Sequence, residues 1–291
     1  MKAGFVNIFG KPNAGKSTLL NALLGEKLAI VSPKVQTTRH RIKGFLTSSG
    51  EYQIIFSDTP GIIEETKYKL HEKMMSNVKG ALEDADVALL IVDANENLEE
   101  VEAIFQRLRL KVPALLVLNK IDEAGNGKIA AAETFFEGKP YVKKLVKISA
   151  LQHHHLDKLL KTIIEFLPEG DPFYNEDDLS DLPTKFFVSE IIREKVYQLF
   201  QDEIPYHTAV LVNEFKEKQS LIKIQADIIV QRETQKVIII GEKGKMIREI
   251  GTLARTEIEK FLGQKVFLEL FVKVRPKWRD NETHLKEYGY H

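Results

Sequence analysis

The chain of 291 residues has no cysteine and a single tryptophan. Without cysteine there is no disulfide framework and no thiolate metal site, and a reducing compartment is the natural expectation. Long apolar runs are also missing. The longest, such as Val87–Val92 and Ala114–Leu118, reach about a third of the length that a membrane-spanning helix needs. The opening MKAGFVNIFGKPNAG holds no apolar signal core and no small-residue cleavage site, so the chain reads as cytoplasmic. Net charge is absent too, with 42 Lys and Arg against 42 Asp and Glu. That balance hides a segregation. Pro168–Pro183 carries six acids and no base, whereas Arg232–Arg279 carries 12 bases and six acids. A basic end on a neutral chain fits a polyanionic partner for that end alone. Wholesale disorder is excluded, because 43% of the residues are hydrophobic.

What is present is alternation. Gly4–Phe9, Tyr52–Phe56, Val87–Val92, Ala114–Leu118 and Leu145–Ile148 are short apolar runs. Between them lie helical patterns at Ser17–Leu24, Tyr68–Leu82, Leu98–Leu110, Lys128–Phe136 and Leu156–Leu167. Strands that are apolar throughout are those buried on both faces of a parallel sheet. Residues 1–167 therefore read as a doubly wound α/β domain. Residues 168–184, rich in Pro, Asp and Glu, read as an exposed acidic linker. Residues 185–291 give a helix at Phe187–Phe200 and strands at Thr208–Phe215, Leu221–Val230, Val237–Ile240 and Val266–Val274. With a further helix at Lys245–Leu262, this is the pattern of a small α+β domain.

Gly10–Ser17 (GKPNAGKS) fits GxxxxGK[ST], directly after a strand and before a helix. Glycines let backbone N–H groups turn towards a polyphosphate, and the helix N-terminus adds its positive dipole end. Lys16 would then reach the β- and γ-phosphates while the Ser17 hydroxyl binds Mg²⁺. Asp58-Thr59-Pro60-Gly61 ends another strand, where Asp58 can hold Mg²⁺ through water and the Gly61 N–H can contact the γ-phosphate. Asn119-Lys120-Ile121-Asp122 ends a third. Guanine presents two donors, N1–H and the 2-amino group, that the Asp122 carboxylate can accept together, whereas adenine would face it with a lone pair. Asn119 would hold the loop and approach the base edge, and Ser149-Ala150 could supply a backbone N–H to O6.

In the basic half, Gly241-Glu242-Lys243-Gly244 fits the GxxG loop of a KH domain, which clamps a single-stranded nucleic-acid backbone. Met246, Ile247, Ile250, Leu253, Ala254, Ile258 and Phe261 share one face of the helix that follows and read as core, with Ile247 near enough to the loop to meet a base as well. Lys243, Lys245 and Arg248 supply positive charge, against which Glu242 sets a negative one inside the clamp. Trp278, between Lys277 and Arg279, either stacks a base or anchors the domain. His153-His154-His155 reads as a solvated loop rather than a metal site, since adjacent side chains point in different directions.

Taken together, the motifs GKPNAGKS, DTPG, NKID and SA resemble the translation-factor-like family of P-loop GTPases. Lys34–His40 (KVQTTRH) resembles the first switch of the Era group within it, and the stretch from Ile238 to Asn281 resembles that group's C-terminal half. The resemblance spans about residues 3 to 290. It implies a P-loop GTPase domain followed by a type II KH domain, and a nucleotide site of Asn13, Ala14, Gly15, Lys16, Ser17, Thr18, Asp58, Gly61, Asn119, Lys120, Asp122, Ser149 and Ala150. Catalysis falls to Lys16, Thr38 and Gly61. Mg²⁺ falls to Ser17, Thr38 and, through water, Asp58, with Thr37 the alternative to Thr38. Asn13 matches an asparagine that helps bind K⁺ in related GTPases. Ile62 stands where Ras-like proteins carry a water-orienting glutamine, so intrinsic hydrolysis of GTP to GDP is expected to be slow.

Implied partners are the 3′ end of small-subunit ribosomal RNA, held by Gly241, Glu242, Lys243, Gly244, Lys245, Ile247 and Arg248, and the small ribosomal subunit during assembly. The chain is expected to be a monomer. Two other readings stand beside this one: a nucleotide-binding RNA chaperone with negligible turnover, and a regulatory GTPase docked weakly on the inner face of the cell membrane. Two features depart from the family pattern: Glu242 puts a negative charge inside the phosphate clamp, and Gln152–His155 replaces an expected glycine-containing turn after Ser149-Ala150-Leu151.

Overall fold

The computed structural model describes residues 1–63 and 65–290. His291, the last residue of the expected second domain, lies outside them. Two compact units form: Met1–Glu65 with Met74–Asp181, and Thr66–Lys73 with Leu182–His291.

The first unit alternates strands and helices: β1 (Lys2–Phe9), α1 (Lys16–Leu24), β2 (Ile42–Ser48), β3 (Tyr52–Asp58), α2 (Lys69–Glu83, begun in the other unit), β4 (Val87–Asp93), α3 (Leu98–Leu108), β5 (Ala114–Asn119), α4 (Asn126–Phe136), β6 (Val142–Lys147) and α5 (Leu156–Phe166). Sheet order is β2-β3-β1-β4-β5-β6, parallel except for β2. The five apolar runs are the five parallel strands, and every residue of β5 is buried. β2 is the strand that composition does not announce. It pairs with β3 as a hairpin from Ser48↔Tyr52 to Ile42↔Asp58. The parallel registers Ile8↔Asp58 and Asp93↔Asn119 bring the carboxyl ends of neighbouring strands level. Loops leaving those ends share one rim of the sheet, where open α/β folds bind ligands.

The acidic stretch is exposed, as expected, but it is not a free tether. Leu179 O accepts from Phe45 N at 2.9 Å, and Lys43 Nζ meets Asp181 at 2.9 Å. The buried Gln53 side chain serves the backbone of Phe173 and Tyr174, and the Tyr174 ring stacks on Phe45 at 3.9 Å. Reading charge alone missed the Phe-Tyr pair that straps this segment to the sheet.

The second unit contains α6 (Thr184–Leu199), β7 (Ala209–Glu217), β8 (Ile222–Val230), α7 (Glu233–Ile240), α8 (Lys245–Leu262), β9 (Val266–Val274) and α9 (Glu282–Glu287). β8 pairs antiparallel with β7 and parallel with β9. Its core gathers Val188, Ile192, Ile224, Ile228, Ile239, Ile250, Ala254 and Ile258. One expectation fails here: Val237–Ile240 is the end of a helix, not a strand. Four successive apolar residues suit either structure. The Gln235 side chain decides it by accepting from Arg232 N at 3.2 Å, closing the first turn. Helical geometry then buries Ile239 and leaves Val237 and Ile238 exposed.

Candidate nucleotide and nucleic-acid sites

A cleft of about 350 Å³ opens where the loops after β1, β3, β5 and β6 meet. Its walls include Asn13, Gly15, Lys16, Ser17, Thr18, Thr38, Gly61, Asn119, Lys120, Asp122 and Ser149. Ala14, Asp58 and Ala150 lie buried. Asn119 explains why the wall holds. Its Nδ2 donates to Ala14 O at 2.9 Å and its Oδ1 accepts from Ala150 N at 3.0 Å, joining three loops through one amide. Gly15 makes this possible: its φ is 101°, and a Cβ there would lie 2.2 Å from Asn119 Nδ2. Of the Ser149-Ala150 pair, expected to offer a backbone N–H to O6, the Ala150 N–H here meets Asn119. Asp122 stands exposed on the cleft wall. Lys120 Nζ pairs with Asp93 at 2.7 Å, a partner that sequence reading did not find, although Asp93 ends an apolar strand as Asp58 does.

At the other end of the cleft the polar groups converge. Ser17 Oγ donates to Asp58 Oδ2 at 2.6 Å, Thr38 Oγ1 donates to the same oxygen at 3.0 Å, and the two hydroxyls lie 2.9 Å apart. Of the two adjacent threonines, Thr38 is the one that reaches Asp58. Asp58 Oδ1 is buried and has no hydrogen-bond partner among the described residues. An orphaned carboxylate oxygen beside two hydroxyls is an all-oxygen donor set suited to Mg²⁺, so these residues fit that ion. Burial raises the Asp58 pKa, opposed by Lys16 and by the Ser17 and Thr38 hydroxyls. Burial also pushes Lys16 down to about 8, against the pull of Asp58 and Glu96. Its Nζ donates to the carbonyls of Gly10 and Lys11 at 3.1 and 2.8 Å.

Asn13 takes a left-handed φ of 66°, and its Nδ2 donates to Pro33 O at 2.9 Å. Ile62 packs against the apolar cluster under β4 and β5 and offers no polar group. The histidine turn accounts for the departure noted above. His153 and His155 adopt φ of 56° and 60°, the region that favours glycine, and His155 Nδ1 lies 3.0 Å from Lys147 O. Among the described residues no group of three or more His, Asp or Glu is placed to hold a metal.

In the second unit, Gly241 (φ 71°) and Gly244 (φ 74°) bracket the loop between α7 and α8. A Cβ at Gly241 would lie 2.6 Å from Met246 Cγ, so the loop passes directly over the first turn of α8. Glu242, Lys243, Lys245 and Arg248 are exposed, while Ile247 packs against the core. Arg248 shapes the loop it was expected to charge: its Nη2 donates to Lys243 O at 2.8 Å and its Nε to Gly244 O at 3.2 Å. Of the expected core face, Leu253 alone is exposed. Trp278 resolves as an anchor. It is fully buried, donates Nε1–H to His207 O at 3.0 Å and packs on Tyr288 and Tyr290, which rules out base stacking.

Comparison with known proteins finds a GTPase domain and a KH domain. A family model described as 50S ribosome-binding GTPase matches residues 5–120, and a KH domain model matches residues 203–279. The GTPase Era of Aquifex aeolicus is 45% identical, covering 100% of this chain and 99% of that protein. The chloroplastic GTPase ERA-like protein of Arabidopsis thaliana is 42% identical, covering 99% of this chain and 69% of its own length. Among solved structures, a variant of Aquifex aeolicus Era bound to GDP·AlF4⁻ superposes with a TM-score of 0.95 at 44% identity over 100% of this chain and 99% of the other. A structure of Era with MgGDPNP and nucleotides 1506–1542 of 16S ribosomal RNA gives 0.95 at 45% identity, with the same coverage. The chain belongs to the Era family of GTPases, in which a GTPase domain precedes a C-terminal KH domain.

Proposed function

We propose that this chain hydrolyses GTP and binds the 3′ end of small-subunit ribosomal RNA, acting in assembly of the small ribosomal subunit. The observation that carries the hydrolytic half is the convergence of Ser17, Thr38 and Asp58 beside the buried ammonium of Lys16. The Era structure with MgGDPNP and a 16S RNA segment supports the RNA half. Mg²⁺, when bound through the Ser17 and Thr38 hydroxyls with Asp58 behind water, offsets charge on the β- and γ-oxygens. Lys16 leaves the Gly10 and Lys11 carbonyls for those oxygens, and its charge favours the bond-breaking transition state. Gly61 lines the cleft, and its N–H would contact the γ-phosphate. Asp122 selects guanine, while Asn119 keeps the base loop in place.

Because the residue after Gly61 is Ile62, apolar and packed against the core cluster, it cannot orient water as a glutamine would, and turnover is slow. We assign to Asn13, already tied to the Pro33 carbonyl, a K⁺ ion that offsets γ-phosphate charge. Gly241, Glu242, Lys243, Gly244, Lys245, Ile247 and Arg248 take the RNA backbone and the first bases. The proposal places the chain in the cytoplasm as a monomer. Liposome co-sedimentation tests association with an anionic membrane, and no helix among the described residues is long and apolar enough to cross one.

Phosphate release from GTP, with Mg²⁺ and either KCl or NaCl, tests the enzyme. We expect faster release in KCl, loss of that difference on replacing Asn13, and no release by Lys16→Ala. Equal rates in both salts would remove K⁺ and keep the GTPase. Release by Lys16→Ala at the parent rate would remove the catalytic assignment. A parent that binds GTP but does not turn it over, even with RNA present, would favour the RNA-chaperone reading.

A further inference from the structure

Three residues after Thr38, immediately before β2, stands Arg41. Its guanidinium forks onto Asp84, Nη1 to Oδ2 at 2.6 Å and Nη2 to Oδ1 at 2.8 Å. The other edge donates to Ser57 Oγ, from Nε at 3.1 Å and Nη2 at 2.9 Å. Both anchors are fixed in turn. Ser57 is fully buried in β3, immediately before Asp58. Asp84 follows the last residue of α2, and Asn7 of β1 donates its Nδ2 to Asp84 Oδ1 at 2.9 Å and to Ala81 O. A second tie runs beside the first, Asn77 Nδ2 of α2 donating to Arg39 O at 3.4 Å.

We propose that Arg41 is a positioning residue for hydrolysis: its clamp on Asp84 and Ser57 sets where the Thr38 hydroxyl lies relative to Asp58. Thr38 can stray only about 10 Å along the chain from this clamp, since each residue spans at most about 3.5 Å. Gly25–Arg41 contains no helix or strand, and the clamp adds a side-chain restraint to the Ile42↔Asp58 pairing at the end of that long loop. A bidentate guanidinium–carboxylate pair restrains orientation as well as distance, which a point-charge ammonium cannot do. The pair is partly shielded, with 13% of the Arg41 side chain and 41% of the Asp84 side chain exposed. Ser57 ties the clamp to the same strand that carries Asp58. The inference rests on reading the cleft as a Mg²⁺-dependent GTPase site.

The test compares Arg41→Ala, Arg41→Lys, Asp84→Asn and the Arg41→Ala/Asp84→Asn pair in the full-length protein. Nucleotide affinity, GTP turnover and the Mg²⁺ concentration giving half-maximal turnover are measured for each. Losing the clamp is expected to lower turnover about tenfold to a hundredfold, as displaced reacting groups do, with GDP affinity within about twofold of the parent. The Mg²⁺ requirement should rise, since Thr38 then reaches the ion less often. Arg41→Lys should recover only part of the rate, and the double variant should lose no more than Arg41→Ala alone. Parent-like turnover, or losses that add in the double variant, would overturn the proposal. So would GDP and GTP affinity falling together with an unchanged Mg²⁺ requirement, the outcome of a merely structural pair. Should Arg41→Ala fail to fold, Arg41→Lys and Asp84→Asn decide the same question. A parent that neither binds nor hydrolyses GTP would instead defeat the reading of the cleft itself.

Discussion

At the scale of single residues, the cleft is a set of opposed demands. Burial disfavours charge on both Lys16 and Asp58, yet each is the main opposite charge of the other. On the proposed function, phosphates and Mg²⁺ would relieve both. The sign of the pH dependence follows. Lys16, held down to about 8, is partly neutral above that pH in the free protein, and the phosphates of GDP favour its charged form. Binding should therefore take up a proton, more at pH 8.5 than at pH 7, with affinity declining as pH rises past about 8. Calorimetry in buffers of different ionisation enthalpy measures that uptake, and no difference between the two pH values would contradict the buried ammonium. Asp122 carries a separate expectation. Asp122→Asn exchanges two acceptor oxygens for an amide that can donate to the 2-oxo group of xanthine. Competition binding should show preference moving from GTP to xanthosine triphosphate, whereas an unchanged preference would remove Asp122 from base recognition.

At the scale of elements, legibility tracked periodicity and burial. Buried strands such as β4 and β5 announced themselves as apolar runs, and the loops after β1, β3, β5 and β6 carried the motifs. β2 did not, because an edge strand broken by Lys43 and Gly44 shows no clean pattern. The Ser49-Gly50-Glu51 turn, with Gly50 at φ 73°, was its one signal. α7 was misread because its apolar run is too short to show a period. Trp278, open in the sequence between stacking a base and anchoring the domain, is claimed by packing, and Arg248 braces the loop carbonyls in addition to the RNA role proposed for it. Ser17, Thr38 and Asp58, the residues expected to hold Mg²⁺, lie together because the loops that carry them share one rim of the sheet, and the order of motifs encodes that. The acidic strap is where charge misled, and it can be weighed. Tyr174→Ala removes the ring stacked on Phe45 and should cost about 1–3 kcal/mol of unfolding free energy. Urea denaturation of the parent and variant, with GDP affinity as a control, measures it. An unchanged midpoint would show that the strap merely lies on the sheet.

At the scale of the molecule, two units with separate cores carry two ligands. The first owns the strand-end cleft, and the second owns the loop between α7 and α8. Damage to one loop should therefore spare the other unit's ligand. Gly241→Asp with Gly244→Asp puts carboxylates where an RNA backbone must lie, and the residue at 241 would also collide with Met246. The most direct measurement is a titration of the parent and this double variant against single-stranded RNA from the 3′ end of small-subunit ribosomal RNA and a duplex of equal length, at two salt concentrations. Affinity for a fluorescent GTP analogue is measured in parallel. We expect the parent to prefer the single strand, because bases must splay to enter a KH groove, and to bind less tightly in higher salt. The double variant should lose at least about tenfold in RNA affinity, or about 1.4 kcal/mol, with GTP affinity nearly unchanged. Equal binding of both RNAs by both proteins would leave only a nonspecific basic surface and contradict the assignment of a GTP-hydrolysing, ribosomal-RNA-binding protein.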